Sequence, residues 1–246
     1  MSLNVLIACE ESQRVCCAFR ERGYNAFSAD IQECSGGHPE WHIHGDVLPY
    51  LNGNCEFTTQ NGDVHKIDGK WDLCICPPPC TDLALSGARH FEKKRADGRQ
   101  REAIEFFMKF IDADCPHICV ENPMNIMSGE EYIKTWFPDL WEKYPLPLKN
   151  YQVVSPHWFG SKTRKKTCYW LKELPALRAT NIVKPDVLTY VKKDGRKTSF
   201  SADFCRGAGS HSGKQRSKTA PEIADAMAEQ RGTWIQNLIN KKKGII

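Results

Sequence analysis

Apolar positions along this chain fall in short unbroken runs, each stopped by a polar, glycine or proline turn. Residues 4–9 (Asn-Val-Leu-Ile-Ala-Cys), 24–29, 73–76 (Leu-Cys-Ile-Cys) and 117–120 (His-Ile-Cys-Val) are too short and too continuously apolar for amphipathic helices. Runs of that kind predict strands buried on both faces, as in a parallel sheet. Between them the period changes to that of a helix. Residues 12–22 predict one, closed by Gly23, and residues 102–112 another, with Ile104, Phe107, Met108 and Ile111 on its core face. Pro221 is a suitable first residue for a last helix running to about Asn240, lined by Ile223, Met227 and Ile235, with Gly232 as a point of interruption. Strand, turn, helix, strand at the start predicts an open α/β sheet, whose chemistry lies beyond the C-terminal ends of its strands.

The strand ends are therefore where candidate residues are sought. Strand one ends in the turn Glu10-Glu11-Ser12-Gln13. Carboxylates stand where a phosphate cradle would have glycines, which argues against a pyrophosphate ligand and leaves a cationic or hydroxyl-bearing cofactor, or simply two solvated glutamates. Strand two ends at Asp30, and Asp46 follows a loop over residues 32–45 that holds Cys34, His38, His42 and His44. Their spacing matches no common zinc module, so a polar loop is expected and no metal. Residues 55–70 predict a hairpin turning at Asn61-Gly62. The run 73–76 stops at Pro77-Pro78-Pro79, and Cys80 follows on the stiffened loop as a candidate nucleophile. The basic stretch 83–101 predicts a flexible lid over an anionic substrate. Strand 117–120 ends at Glu121-Asn122-Pro123, so a thiol and a carboxyl group would share one crevice. Residues 152–154 and 167–171 predict a hairpin of strands around the basic turn 160–166, and beyond residue 172 the pattern dissolves as far as residue 215 into a basic, aromatic-poor lobe suited to phosphate contact, with a turn at Asp194-Gly195.

Composition adds limits rather than chemistry. With 246 residues, 41% hydrophobic and 26% charged, the chain has the make-up of one large globular domain with a small lobe. A net charge of +4 permits a polyanionic partner. No run approaches a membrane span and no signal-like apolar core follows the N-terminus, so a cytoplasmic protein with its 12 cysteines reduced is expected. A metal or redox role for Cys74, Cys76 and Cys80 stays open.

In their order, Pro79-Cys80, Glu121-Asn122 and the turn Thr163-Arg-Lys-Lys-Thr167 resemble the Pro-Cys, Glu-Asn-Val and, loosely, Gln-x-Arg-x-Arg motifs of the DNA cytosine C5-methyltransferases. The pattern is similar also to short methyltransferase-like proteins of bacteriophage genomes. It covers Val5 to about Leu171 and the final helix. The resemblance implies a Rossmann-like S-adenosylmethionine-dependent methyltransferase sheet with helices on both faces. It divides the chain into a catalytic domain (1–171), a small target-recognition lobe (172–215) and a C-terminal helix packing back (216–246). It implies Cys80 as the nucleophile at cytosine C6, Glu121 on N3 and the exocyclic amine, and Arg164, or Lys166 in a shifted register, on the base oxygen. Pro79, Asn122, Pro123 and Thr163 would line the substrate. S-adenosylmethionine would lie against Cys9, Glu10, Ser12, Asp30, Ile31, Asp46, Val47 and Pro78, with Asp30 on the ribose and Asp46 on the adenine amine. One departure is plain: the family's Phe-x-Gly-x-Gly is here Ala8-Cys-Glu-Glu-Ser-Gln13. Double-stranded DNA is the implied partner, with no membrane and no obligate protein partner, in the host cytoplasm if phage-encoded. A free nucleotide or RNA substrate, and a catalytically weak nucleic-acid-binding relative, are the alternatives.

Overall fold

The computed structural model describes residues 2–202 and 217–244. Its centre is a seven-stranded sheet in the order β3-β2-β1-β6-β7-β9-β8. The strands are β1 (Asn4–Ala8), β2 (Asn25–Asp30), β3 (His42–His44), β6 (Leu73–Cys76), β7 (Ile118–Asn122), β8 (Tyr151–Val154) and β9 (Thr167–Lys172). The first five named are parallel; β9 runs antiparallel to both β7 and β8. Strand order reverses between β1 and β6, the point at which an open sheet leaves a crevice. This is the α/β sheet expected, and the continuous apolar runs are explained by its two covered faces.

Side chains alternate between those faces. From β1, Leu6 and Ala8 join one core with Phe107 and Phe110 of α3 (Arg99–Ile111), Ile133 of α4 (Glu130–Trp136) and Leu140 of α5 (Pro138–Lys143). Val5 and Ile7 join the other, with Val15 and Phe19 of α1 (Arg14–Glu21) and Ile223 and Met227 of α6 (Pro221–Met227). Beyond α6 the helix widens into a π-turn at Ala228–Gly232 and continues as α7 (Thr233–Lys242). Gly232 is the interruption expected, and its reason is close packing: a Cβ there would stand 2.5 Å from the ring of Tyr24. The hairpin β4 (Cys55–Thr58) and β5 (Val64–Ile67) packs Phe57 edge-on against Phe27.

Three expectations are corrected. The stretch 83–101 is no flexible lid but a 3₁₀ turn at Leu85–His90, α2 (Phe91–Ala96) and the start of α3. One of its cations is neutralised inward: Lys94 is buried, donates to the Thr81 carbonyl and stands 3.4 Å from Asp82. Loop 32–45 contains β3, with His42 buried between the Ser28 hydroxyl and the Gln32 carbonyl; no cluster able to hold a metal occurs among the described residues. The pattern-free lobe holds a ribbon of two antiparallel strands, β10 (Val187–Val191) and β11 (Lys197–Ser201), turning at Asp194-Gly195; its residues 203–215, and 216, 245 and 246 of the last segment, lie outside the described residues. No helix among the described residues is long and apolar enough to cross a membrane.

Candidate active site

The turn after β1 does without glycine by placing Cys9 (φ 58°) and Gln13 (φ 56°) in the left-handed region. Glu10 and Glu11 are not solvated. Glu10 is buried and its carboxylate accepts from the backbone N–H groups of Val15 (2.8 Å) and Cys16 (3.1 Å), filling the N-terminus of α1 with the chain's own anion. That settles why no phosphate cradle exists here. Burial pushes the Glu10 carboxyl up to about 7 against those two donors. Glu11 takes the Ser35 hydroxyl and lies 3.7 Å from Lys218, while Gln13 donates to the His38 carbonyl (2.7 Å) and accepts its N–H (3.0 Å). Residues 35–38 are thus laid directly on the turn. Gly36 makes the approach possible, since a Cβ would stand 2.6 Å from that of Gln13. Ser12 is enclosed in the same turn.

Cys9, Asp30 and Asp46 come together at the ends of β1, β2 and β3: burial raises the Cys9 thiol well above its ordinary value, and both aspartates add to the effect. Each aspartate spends one carboxylate oxygen on its own loop, Asp30 on Gln32 N–H (2.9 Å) and Asp46 on Leu48 N–H (3.0 Å). Ile31 is 78% exposed between them, whereas Val47 is buried in the core. Two carboxylates and an exposed apolar side chain on one rim suit a ligand with hydroxyls, an amine and a flat apolar ring, so the donor set fits the nucleoside end of S-adenosylmethionine.

The second cluster stands on β6 and β7. The prolines end β6, and the carbonyl of Cys80 then accepts from Leu83 N–H (3.1 Å) and Ala84 N–H (2.9 Å), closing a tight turn under the thiol. Asn122, expected against substrate, is buried and holds the loop: its amide donates to the Pro78 carbonyl (2.8 Å) and accepts from Asn125 (3.1 Å). Glu121 is 7% exposed, and burial raises its carboxyl above the usual range. Burial raises the Cys80 thiol also, Glu121 raises it further, and Lys165 and Lys94 pull it back down. Thiol and carboxylate therefore sit in one electrostatic field with Lys165.

Lys165 is the residue that sequence reasoning missed. In the extended turn before β9 the side chains of Thr163, Lys165 and Thr167 line a cavity of about 190 Å³ with Glu121 and Tyr169. Arg164 and Lys166 are not brought to it: the Arg164 guanidinium donates to the Ser199 carbonyl, and both cations face His157, which burial and their charge hold below its usual range. The signal was available in the two-residue alternation running back from Thr167. The far wall is Thr219, Ala220 and Pro221, tied to α1 by the Arg14 guanidinium on the Thr219 carbonyl (2.8 Å). Pro79 is exposed and Pro123 half-buried at the mouth of the Cys80 loop.

Methyltransferases are among the solved structures similar to this chain. They include a prophage-encoded E. coli protein described as a DNA modification methyltransferase (15% identity over 74% of this chain and 52% of that one, TM-score 0.44). Dnmt2 methyltransferase of S. pombe follows (13%, 70% and 49%, TM-score 0.38), with the Entamoeba histolytica methyltransferase EhMeth (15%, 76% and 58%, TM-score 0.41). This chain thus spans about half the length of the proteins it matches. No family model matches it, and no curated protein does. Likenesses below a TM-score of 0.5 decide nothing about the chemistry, which stands on the geometry above.

Proposed function

We propose that this chain transfers a methyl group from S-adenosylmethionine to C5 of cytosine in DNA through a covalent adduct on Cys80. The observation that carries the reading is a thiol and a buried carboxyl group at the C-terminal ends of adjacent parallel strands, β6 and β7, with one lysine charge acting on both. Cytosine C5 is a weak nucleophile. Addition of the Cys80 thiolate at C6, with a proton from Glu121 to N3, turns C5 into the carbon of an enamine. When bound, S-adenosylmethionine supplies an electrophilic methyl group for that carbon. Loss of the C5 proton to a base, departure of the Cys80 thiolate and return of the N3 proton to Glu121 restore the ring. Lys165, rather than Arg164 or Lys166, is the cation for the base oxygen and for charge held on the adduct. Asn122 positions the Cys80 loop through Pro78. A duplex substrate must turn its base out of the stack, at a cost of a few kcal/mol. The cofactor rim is Cys9, Asp30, Ile31 and Asp46, and Lys218 and Arg14 are the cations near the cavity's far wall for an acid group.

A catalytically weak nucleic-acid-binding relative is favoured by one observation, the closure of the Glu10–Gln13 turn by its own carboxylates and by residues 35–38. One assay separates the two readings: tritium transfer from labelled S-adenosylmethionine to duplex DNA by wild type and Cys80→Ser. Incorporation by wild type alone supports the adduct, equal incorporation by both sinks it, and binding of DNA without incorporation favours the second reading.

A further inference from the structure

The β10–β11 ribbon is exposed over much of its length. Its register pairs Leu188 with Phe200 and Tyr190 with Thr198, which puts these four side chains on one face. Tyr190 is 48% and Phe200 50% exposed, and their rings are neighbours with centroids 6.2 Å apart and planes inclined at 55°. Ten residues separate them in sequence, so a segment that reads as aromatic-poor acquires an aromatic platform only on folding. The far end of the ribbon carries Lys192, Lys193, Arg196 and Lys197, against a single acid, Asp194, which Arg196 holds at 2.6 Å. Two strands alone are marginal in water, and this pair is anchored at its base. Arg164 donates through its backbone N–H to the Ser201 hydroxyl (3.1 Å) and through its guanidinium to the Ser199 carbonyl, and Asp186 N–H donates to Lys162 (2.9 Å). The anchor is thus the turn that sends Lys165 into the cavity.

We infer that this ribbon is a nucleic-acid contact in which the Tyr190–Phe200 face stacks unpaired bases and the cations at its tip hold the phosphates, so that the chain grips single-stranded DNA more tightly than duplex. Ring faces are open only to bases whose own faces are free; in a duplex those faces are already stacked, and only the cations remain useful. Positive charge alone would suit any acidic surface, but two half-exposed rings, inclined to one another at 55° beside four cations, match separate unstacked bases and the phosphates between them. The inference rests on the proposed function for the choice of nucleic acid and names its strandedness.

The test is fluorescence anisotropy of the full chain with a labelled 20-nucleotide single strand and its duplex, at two salt concentrations. The Tyr190→Ala/Phe200→Ala variant is expected to lose about tenfold or more on the single strand and less than twofold on the duplex. The ring-conserving Tyr190→Phe/Phe200→Tyr variant is expected to bind as wild type, with circular dichroism verifying each fold. Lys192→Gln/Lys193→Gln should weaken both and lower the single-strand salt slope by about 1.4. Equal loss on both substrates, or on neither, with the alanine pair overturns the stacking platform. Tritium transfer tests the chemistry separately: a methylating enzyme indifferent to the ring variants refutes the ribbon alone, and an inactive chain with intact stacking refutes the Cys80 chemistry alone.

Discussion

Replacing Glu10 by glutamine removes a buried acid whose titration is displaced into the neutral range. The wild-type carboxyl moves from an ordinary 4.5 to about 7 on folding, because taking its charge out of water outweighs the two backbone donors of α1. At about 1.4 kcal/mol per pH unit this displacement is worth about 3 kcal/mol. The sign follows from proton uptake. The folded state holds the Glu10 proton more tightly than the unfolded one, so this contribution is fully present below pH 4.5 and is lost as pH rises to about 7. Glutamine keeps one acceptor oxygen for Val15 but turns an NH₂ toward Cys16, a constant cost of about 1–2 kcal/mol that does not vary with pH. The readout is therefore a slope. Urea unfolding of both proteins from pH 5 to pH 8 should show the wild type losing about 2.5 kcal/mol relative to Glu10→Gln. A difference that stays flat to within about 0.5 kcal/mol would refute the argument, because Glu10 would then titrate alike in both states. The linkage extends to ligand. A sulfonium or ammonium group bound near the turn favours the ionised carboxylate, so cofactor binding below pH 7 should release protons, visible as a buffer-dependent heat in calorimetry.

Three further outcomes follow from the geometry. Glu121→Gln removes the negative charge that raises the Cys80 thiol, so alkylation by iodoacetamide at pH 7.5 should quicken, whereas Lys165→Met should slow it; unchanged rates in both variants would disprove the shared field. Asn122→Ala strands the Pro78 carbonyl and the Asn125 amide in the interior and should cost about 2–4 kcal/mol in urea unfolding, with Cys80 alkylation losing any selectivity over the other thiols. Gly232→Ala must displace the ring of Tyr24 and should destabilise by about 1–3 kcal/mol, and a variant as stable as wild type would mean that the π-turn yields freely.

What the sequence disclosed follows the range of the forces involved. β6 was legible to the residue because both causes are local: four apolar side chains in a buried strand and three prolines that cannot extend it. That Cys80 and Glu121 stand at the C-terminal ends of adjacent strands was legible for the same reason, since parallel neighbours must end on the same side of a sheet. The turn at Cys9 and Gln13 was not, because left-handed backbone is ordinarily announced by glycine, and here it is sustained by bonds from Gln13 to His38 and by the close approach of Gly36. Lys94 read as part of a basic lid over an anionic substrate until helix formation turned it onto Asp82. The ribbon was illegible because exposed strands need no apolar alternation.

Lys165 is the instructive middle case. Its two neighbours are also cations, so composition could not choose among them, and the loosely matched Gln-x-Arg-x-Arg motif pointed to Arg164 or Lys166. The choice is made by β9, whose pairing of Glu121 with Tyr169 fixes which face of that strand meets the carboxylate. Counting back from Tyr169 by twos through Thr167 reaches Lys165, while a slip of one residue would turn Lys165 to His157's side and bring Arg164 or Lys166 to Glu121 instead. The register of a strand that carries no catalytic residue thus selects which of three adjacent cations acts on the thiol.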